Sequence, residues 1–443
     1  MSTLFVCDRC GAEYSKWQGK CDACNSWNSL KELKISDFPK SSKIVTENIK
    51  PKKISDIKIG SNFRVKSNIS ELDLVLGGGF VEGEICLLAG EPGIGKSTLM
   101  LEIASKIKNS LYISAEESLE QIKSRWQRLK LKNNNSQFVS TENLDAIIST
   151  ISKINPQLVI VDSIQAIADL NLANTAGSQV QVKNCSLRLQ KVAKEQKCTI
   201  LISSHVTKSG IIAGPKTLEH LVDAVFYLEG ARDGMYRILR SVKNRYGSAN
   251  EIGVFEMTSF GLKEASNSES VFLNKKILGE VGVVTTSVLE GNRPMIIEVQ
   301  ALAAPSYLNF PKRTASGIDL KRVSLLAAVI EGRTSNRFGK YDLFFNMPGG
   351  IKPKDNSIDL AIILALISAV WKKPVSNDLL AIGEVGLTGE VRVVPMIERR
   401  IIQAKKMGFN QFIIPETLEI KNKKHQVKNI HQAIKIAFGK GEK

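Results

Sequence analysis

The stretch Gly90-Glu91-Pro92-Gly93-Ile94-Gly95-Lys96-Ser97 spells GxxxxGK[ST], and its flanks narrow what it can be. The apolar run Ile85 to Ala89 precedes it, and Leu99, Met100, Ile103, Ala104 and Ile107 follow at helical spacing. Strand, glycine-rich turn and helix in that order form a cradle for phosphate. Glycine lets the backbone wrap closely, and the N–H groups that open the helix point at the anion. Residues Gly90 to Thr98 are therefore the expected nucleotide-contacting stretch. Lys96 would reach the β- and γ-phosphates, and the Ser97 hydroxyl would ligate Mg²⁺.

Further apolar runs make the cradle part of a sheet. Leu111 to Ala115 reads as a buried parallel strand ending at Glu116 and Glu117. A carboxylate at that position can orient a water towards a γ-phosphate, a role expected of Glu116, whereas Glu117 suits the start of a helix over residues 118–131. Leu158-Val159-Ile160-Val161-Asp162-Ser163 is an apolar strand closed by an acid, placing Asp162 as a Mg²⁺ holder. After a helix over 180–196, Thr199 to Ser204 is another strand, ending at His205 where such sheets face their ligand. Repeated strand and helix predict a parallel sheet wrapped by right-handed crossovers.

With 443 residues the chain has room for two or three domains. Lysine and arginine total 61 against 44 acids, a net charge of +17 that suits a polyanionic partner or a solvated basic surface. The start of the chain lacks a signal-peptide pattern, and the best apolar run, Leu360 to Val370, has the length of a core helix and not of a membrane span. The expected location is the cytoplasm. Four of the seven cysteines crowd the start, as Cys7-x-x-Cys10 and Cys21-x-x-Cys24. Two such pairs match a tetrahedral four-thiolate zinc site whose metal supplies the folding energy of a coreless segment, with iron as the alternative occupant. Cys86, Cys185 and Cys198 read as buried free thiols. Residues 31–60, polar, lysine-rich and carrying Pro39 and Pro51, read as a tether.

Lys243-Asn244-Arg245-Tyr246-Gly247 follows a strand-like stretch and sets two cations around an amide, suited to a phosphate in transfer or in a nucleic-acid backbone, or to a solvated turn. Taken with the phosphate loop, Glu116, Asp162, Leu76-Gly77-Gly78-Gly79, His205-Val206-Thr207-Lys208 and Ala213-Gly214-Pro215-Lys216, the chain resembles the RadA (Sms) family of bacterial DNA repair proteins, which has a RecA-type ATPase core. The resemblance spans nearly the whole chain. It implies ATP as substrate, a hexameric ring on DNA, and branch migration of recombination intermediates alongside the RecA recombinase, with single-stranded and branched DNA as partners. It also implies that Lys243 and Arg245 belong to a KNRFG motif coupling hydrolysis across a subunit boundary, here with Tyr246 in place of Phe.

Gly383-Glu384-Val385-Gly386-Leu387-Thr388-Gly389-Glu390-Val391 and Pro353-Lys354-Asp355 resemble the proteolytic domain of Lon. A Ser-Lys dyad needs a hydroxyl beside an amine. Alignment puts Ile358 at the nucleophile and Glu398 at the lysine, and Ser357, one position away on a helix, would point about 100° aside. A scaffold without peptidase activity is expected. Arg313, Lys321, Arg322, Lys340, Arg392, Arg399, Arg400 and the basic tail 421–443 are its candidate DNA contacts.

The expected architecture is an α/β protein: a zinc module at 1–30, a basic linker at 31–60, a RecA-like ATPase at 61–268 and an α+β Lon-like domain at 269–443. The expected function is a DNA-dependent ATPase of recombinational repair, with Lys96, Glu116, Lys243 and Arg245 in catalysis. A nucleotide-gated module that recruits recombination factors without moving along DNA is the alternative.

Overall fold

The computed structural model describes residues 3–7, 13–22, 25–34, 53, 55, 64–132, 135–205, 215–230, 235–265, 273–307, 310–348, 353, 355–417 and 426–439. The chain divides into two compact units, one of Met1–Gly230 with Arg237–Glu264 and one of Ala231–Tyr236 with Ala265–Lys443.

The first unit opens with an antiparallel ribbon, β1 (Thr3–Cys7), β2 (Glu13–Tyr14) and β3 (Leu30–Lys34), with β1 central. β3 carries this sheet to Lys34, past the boundary expected at residue 30. Next come the short pair β4 (Arg64–Val65) and β5 (Phe80–Val81), with helix α1 (Ser70–Leu76) between them. The large sheet contains β6 (Ile85–Gly90), β7 (Ser110–Ser114), β8 (Gln137–Ser140), β9 (Leu158–Asp162), β10 (Thr199–His205), β11 (Ala224–Gly230), β12 (Tyr236–Asn244), β13 (Ile252–Thr258) and β14 (Gly261–Glu264). Its helices are α2 (Lys96–Lys106), α3 (Leu119–Arg128), α4 (Leu144–Ile154), α5 (Gln179–Gln196) and α6 (Pro215–Leu221). Strand order is β14-β13-β12-β11-β6-β10-β9-β7-β8, parallel from β11 to β8 and extended by antiparallel strands at the β14 end.

The unbroken apolar runs have a simple cause. Side chains alternate across a strand, so a strand covered on both faces must be apolar at every position. In β6, Cys86 and Leu88 enter one core while Ile85, Leu87 and Ala89 enter the other; in β9, Leu158 and Ile160 part from Val159 and Val161 in the same way. Local signals fix the helix starts. Ser118 caps α3 in a reciprocal box with Gln121, Asn143 caps α4 through the N–H groups of Asp145 and Ala146, and Ser178 caps α5. The helix expected over 118–131 accordingly begins at Leu119 and ends at Arg128.

The second unit carries a seven-stranded mixed sheet. Its strands are β15 (Val283–Glu290), β16 (Arg293–Pro305), β17 (Arg313–Ser316), β18 (Tyr341–Asn346), β19 (Leu379–Ala381), β22 (Gln411–Pro415) and β23 (Gln426–Val427), in the order β17-β18-β16-β15-β19-β22-β23. β20 (Glu384–Val385) and β21 (Val391–Arg392) pair separately. The helices are α7 (Leu320–Arg333), α8 (Asp359–Trp371), α9 (Ile397–Lys406) and α10 (Ile430–Phe438). Every residue of α8 from Asp359 to Ala369 is buried, the core helix expected of that apolar run.

Several expectations change here. Ser357 lies before α8 and not on it, so helical geometry does not decide its role. Its hydroxyl is buried within hydrogen-bond distance of Ser287 O (3.0 Å) and Asp355 Oδ1 (2.6 Å). Arg400, an expected DNA contact, has a side chain with 0% exposure and donates to Pro395 O, Ser287 O and Asp355 Oδ2. Arg322 is likewise turned inward, donating to Asp359 and to Val385 O. Both guanidiniums tie strands to helices, because an inward charge is tolerated only when its donors are matched. Lys321, Lys340, Arg392 and Arg399 remain at the surface, and the tail at 421–425 and 440–443 lies outside the described residues.

In the first unit, Glu102 of α2 is buried where its carboxylate accepts the Leu262 N–H at 2.7 Å. A Cβ on Gly261 would stand 2.1 Å from Glu102 Oε1 at a φ of +112°, so the approach needs glycine. Burial pushes the Glu102 carboxyl from 4.5 up to about 7. Between those values the folded chain holds a proton that the unfolded chain has lost, so stability falls as pH rises through that window. Glu102→Gln, which keeps the acceptor without the charge, should melt above wild type beyond pH 7, worth up to about 3 kcal/mol. The gap should close towards pH 4.5; a gap independent of pH in thermal scans would contradict this.

Candidate nucleotide site

The carboxyl ends of β6, β7 and β9 meet the start of α2 around a pocket of about 340 Å³. Gly93, Gly95, Lys96, Ser97, Thr98, Glu116 and Asp162 line it. Other members of the loop act on its shape. Gly90 lies where a Cβ would meet Leu228 O at 2.6 Å, and the carbonyls of Gly90 and Glu91 accept from Lys96 Nζ at 2.9 and 3.1 Å. Ile94 O accepts from Arg237 Nε at 2.9 Å, which fastens the loop to β12, and Pro92 is exposed. Gly93 and Gly95 take φ values of +75° and +116°, open to glycine at little cost.

Lys96 is 4% exposed. Burial lowers its ammonium pKa, and the nearby carboxylates of Asp162 and Glu116 oppose that shift. Its loop carbonyls hold the charge in a position that phosphate oxygens can take over.

Each carboxylate has a dedicated holder. Asp162 accepts from Tyr112 Oη at 2.7 Å through Oδ2 and from Ser203 Oγ at 2.6 Å through Oδ1. Tyr112 sits on β7 and Ser203 on β10, so the strands on either side of β9 aim its terminal acid. Glu116 Oε1 accepts from Ser163 Oγ, the residue after Asp162. Glu117, which also lines the pocket, pairs with Arg125 at 2.6 Å and lies just before the Ser118 cap of α3. Arg125 and Arg128, one turn apart on α3, also line the pocket. These two arginines, Tyr112, Ser203 and Arg237 escape a motif reading. The available signals are a polar residue inside the apolar run of β10 and two arginines three apart on a helix that follows the Glu116 strand.

Not all expected residues converge. β10 ends at His205, beside Gly90 in the register, while its side chain and residues 206–214 lie outside the described residues. Lys243 and Arg245 are at the opposite end of the sheet. Lys243 Nζ donates to Glu219 O and Val222 O, and Arg245 pairs at 3.0 Å with buried Asp223, whose backbone and carboxylate bond Ile85 at the start of β6. The length of β6 puts them on the order of 15 Å from the phosphate loop. The glycine turn after α1 packs there too: a Cβ on Gly77 would meet Gly247 Cα at 3.0 Å, and Asn244 Nδ2 donates to Leu76 O.

In the ribbon, Cys7 and Cys21 are fully buried in one small cluster with Leu30. Cys7 Sγ donates to Ser29 Oγ at 3.2 Å, and Tyr14 Oη lies 3.3 Å from Cys21 Sγ. Cys10 and Cys24 lie outside the described residues. Two thiols turned into so small an interior fit a metal centre, since apolar burial alone cannot hold such a sheet. Cys86, Cys185 and Cys198 are buried free thiols.

In the second unit, a cavity of about 710 Å³ is lined by Gly317, Asp319, Arg322, Asp355, Asn356, Ile358 and Asp359 among others. Ile358, the residue expected at the nucleophile position, is part of that lining and carries no hydroxyl.

Three family models match the chain: a rubredoxin metal binding domain at 5–32, an AAA domain at 53–210 and a Lon protease (S16) C-terminal proteolytic domain at 322–440. Among solved structures, the KaiC-like protein PH0186 of Pyrococcus horikoshii aligns with 46% of this chain and 99% of its own at 20% identity and a TM-score of 0.39. The DNA repair protein RadA of Listeria monocytogenes is 42% identical over 425 residues, 94% of this chain and 93% of its own. RadA of Bacillus subtilis is 43% identical over 420 residues, 93% of this chain and 92% of its own, and RadA of Haemophilus influenzae is 40% identical over 422, with the same coverage. At that identity, along nearly the full length of both partners, the chain belongs to the RadA family of bacterial DNA repair proteins.

Proposed function

We propose that this chain hydrolyses ATP to move or remodel DNA strands at recombination intermediates. The observation that carries the reading is the gathering of Lys96, Ser97, Glu116 and Asp162 around one pocket, in a chain with an AAA domain and RadA relatives. Lys96 takes charge on the β- and γ-phosphates, and the backbone N–H groups at the start of α2 hold the phosphate oxygens. Glu116 aims a water at the γ-phosphorus and accepts its proton as the bond to the β-bridging oxygen breaks, leaving ADP and phosphate. Ser97 and Asp162 would hold Mg²⁺, which supplies charge neutralisation between the β- and γ-phosphates. His205 senses the γ-phosphate from the end of β10. Cys7, Cys10, Cys21 and Cys24 would hold zinc, with structural consequences only, since four thiolates leave no open position.

Lys243 and Arg245 serve a neighbouring subunit. Their place at the far end of the sheet supports this, because within one chain they are too distant to touch the same phosphate. A ring, as the family resemblance implies, would bring them to the next molecule's nucleotide or to DNA, with RecA as a working partner in the cytoplasm. The Lon-like unit acts as scaffold and DNA grip without cutting peptides. That reading is supported by Ile358 at the nucleophile position, by a Ser357 hydroxyl engaged with Asp355 and by exposed Glu398 at the lysine position.

Steady-state ATP turnover by the full chain should rise on addition of single-stranded DNA; indifference to DNA would sink the motor reading in favour of a recruiter. Glu116→Gln should retain ATP binding while turnover drops by about 10²-fold or more. Arg245→Ala should leave nucleotide affinity unchanged and abolish the DNA-stimulated increment. A well-folded Arg245 variant that keeps full stimulation would contradict the subunit-coupling role.

A further inference from the structure

Among the described residues, Tyr307 at 96% and Phe310 at 88% are the most exposed large hydrophobic side chains. Both stand in the connection between β16 and β17. An aromatic ring carries a large apolar area that is usually covered. Two of them left bare on one short connection mark a surface that something else covers.

The backbone around them is anchored. Ser306 N–H donates to Lys340 O at 2.8 Å, Lys312 N–H donates to Asp342 Oδ1 at 2.7 Å, and Leu343 N–H donates to Lys312 O at 2.8 Å. These bonds hold the backbone of Lys340 beside Ser306, the residue before Tyr307, and the backbone of Lys312, two residues past Phe310, beside Asp342 and Leu343. Lys312 and Lys340 are exposed. The carboxylate within this group, Asp342, is already engaged by the Lys312 N–H. Two bare rings followed at once in the chain by two cations, with a third cation on the segment that anchors them, match a polyanion that displays flat apolar faces, which is an unpaired nucleic-acid strand. A duplex keeps those faces stacked inside, where a side chain cannot reach them without opening it.

We propose that Tyr307 and Phe310 form a stacking platform for unpaired bases of single-stranded DNA, with Lys312, Arg313 and Lys340 on the flanking phosphates. The assignment rests on the reading that the chain works on DNA, and it names the strand form and the surface. Stacking is insensitive to salt, whereas phosphate contacts release counterions, so the two kinds of side chain leave different signatures.

The test is fluorescence anisotropy of a labelled oligo-dT and of an abasic strand of the same length, titrated with the full chain across a salt series. The Tyr307→Ser, Phe310→Asn double variant should bind oligo-dT at least about tenfold more weakly with an unchanged salt slope, and should bind the abasic strand like wild type. The Lys312→Ala, Arg313→Ala double variant should lower the slope by about 1 to 2. Wild type that binds oligo-dT, beside an aromatic variant that binds it equally, overturns the platform alone. Wild type that ignores oligo-dT overturns the DNA reading and the platform together. A change in assembly size of the aromatic variant by light scattering, accompanying its loss of binding, assigns the rings to a contact between copies and also overturns the platform.

Discussion

A buried ammonium facing two carboxylates is the constraint around which the first unit is built. Lys96 is held away from water beside Asp162 and Glu116, and each of the three is secured by a separate group: loop carbonyls, the Tyr112 and Ser203 hydroxyls, and the Ser163 hydroxyl. Opposite charges set beside one another at the edge of a sheet attract, and an anion placed among them would be read with little reorganisation. Holding them requires strands that do not shift. The sheet supplies this through burial on both faces, with successive residues of β6 and β9 shared between two cores.

Much of this could be read directly in the amino-acid order. Doubly covered strands are continuous apolar runs, so β6, β9 and β10 announce themselves, and the residue that ends each run is placed at the ligand edge by topology alone. What escaped was contact across strands. Nothing in the local sequence of Tyr112 says that its hydroxyl ends on Asp162, because that pairing depends on register between β7 and β9. Arg125 and Arg128 look like ordinary helical surface charge until α3 is folded back over the phosphate loop. The separation of Lys243 and Arg245 from the pocket was equally hidden, since a motif states which residues matter without stating at which end of a strand they stand.

The second unit shows the same limit from the other side. Helical geometry does not place Ser357, since it precedes the helix; its hydroxyl is engaged by Asp355 and Ser287. Arg400, expected beside Arg399 as a DNA contact, faces inward from α9 at a position where the helix packs on the sheet. Charge in a sequence is usually solvated, and the exceptions are found only when burial is known. In both units, then, elements were legible from patterning, whereas the partners of polar side chains required the folded chain.

The central claim is that Lys96 is the cation on which triphosphate binding depends. Calorimetric titration of ATP into wild type and Lys96→Ala, with melting scans to confirm that both are folded, tests it most directly. The account predicts that the variant binds about a hundredfold more weakly, equivalent to roughly 3 kcal/mol. Equal affinity in a folded variant would contradict it.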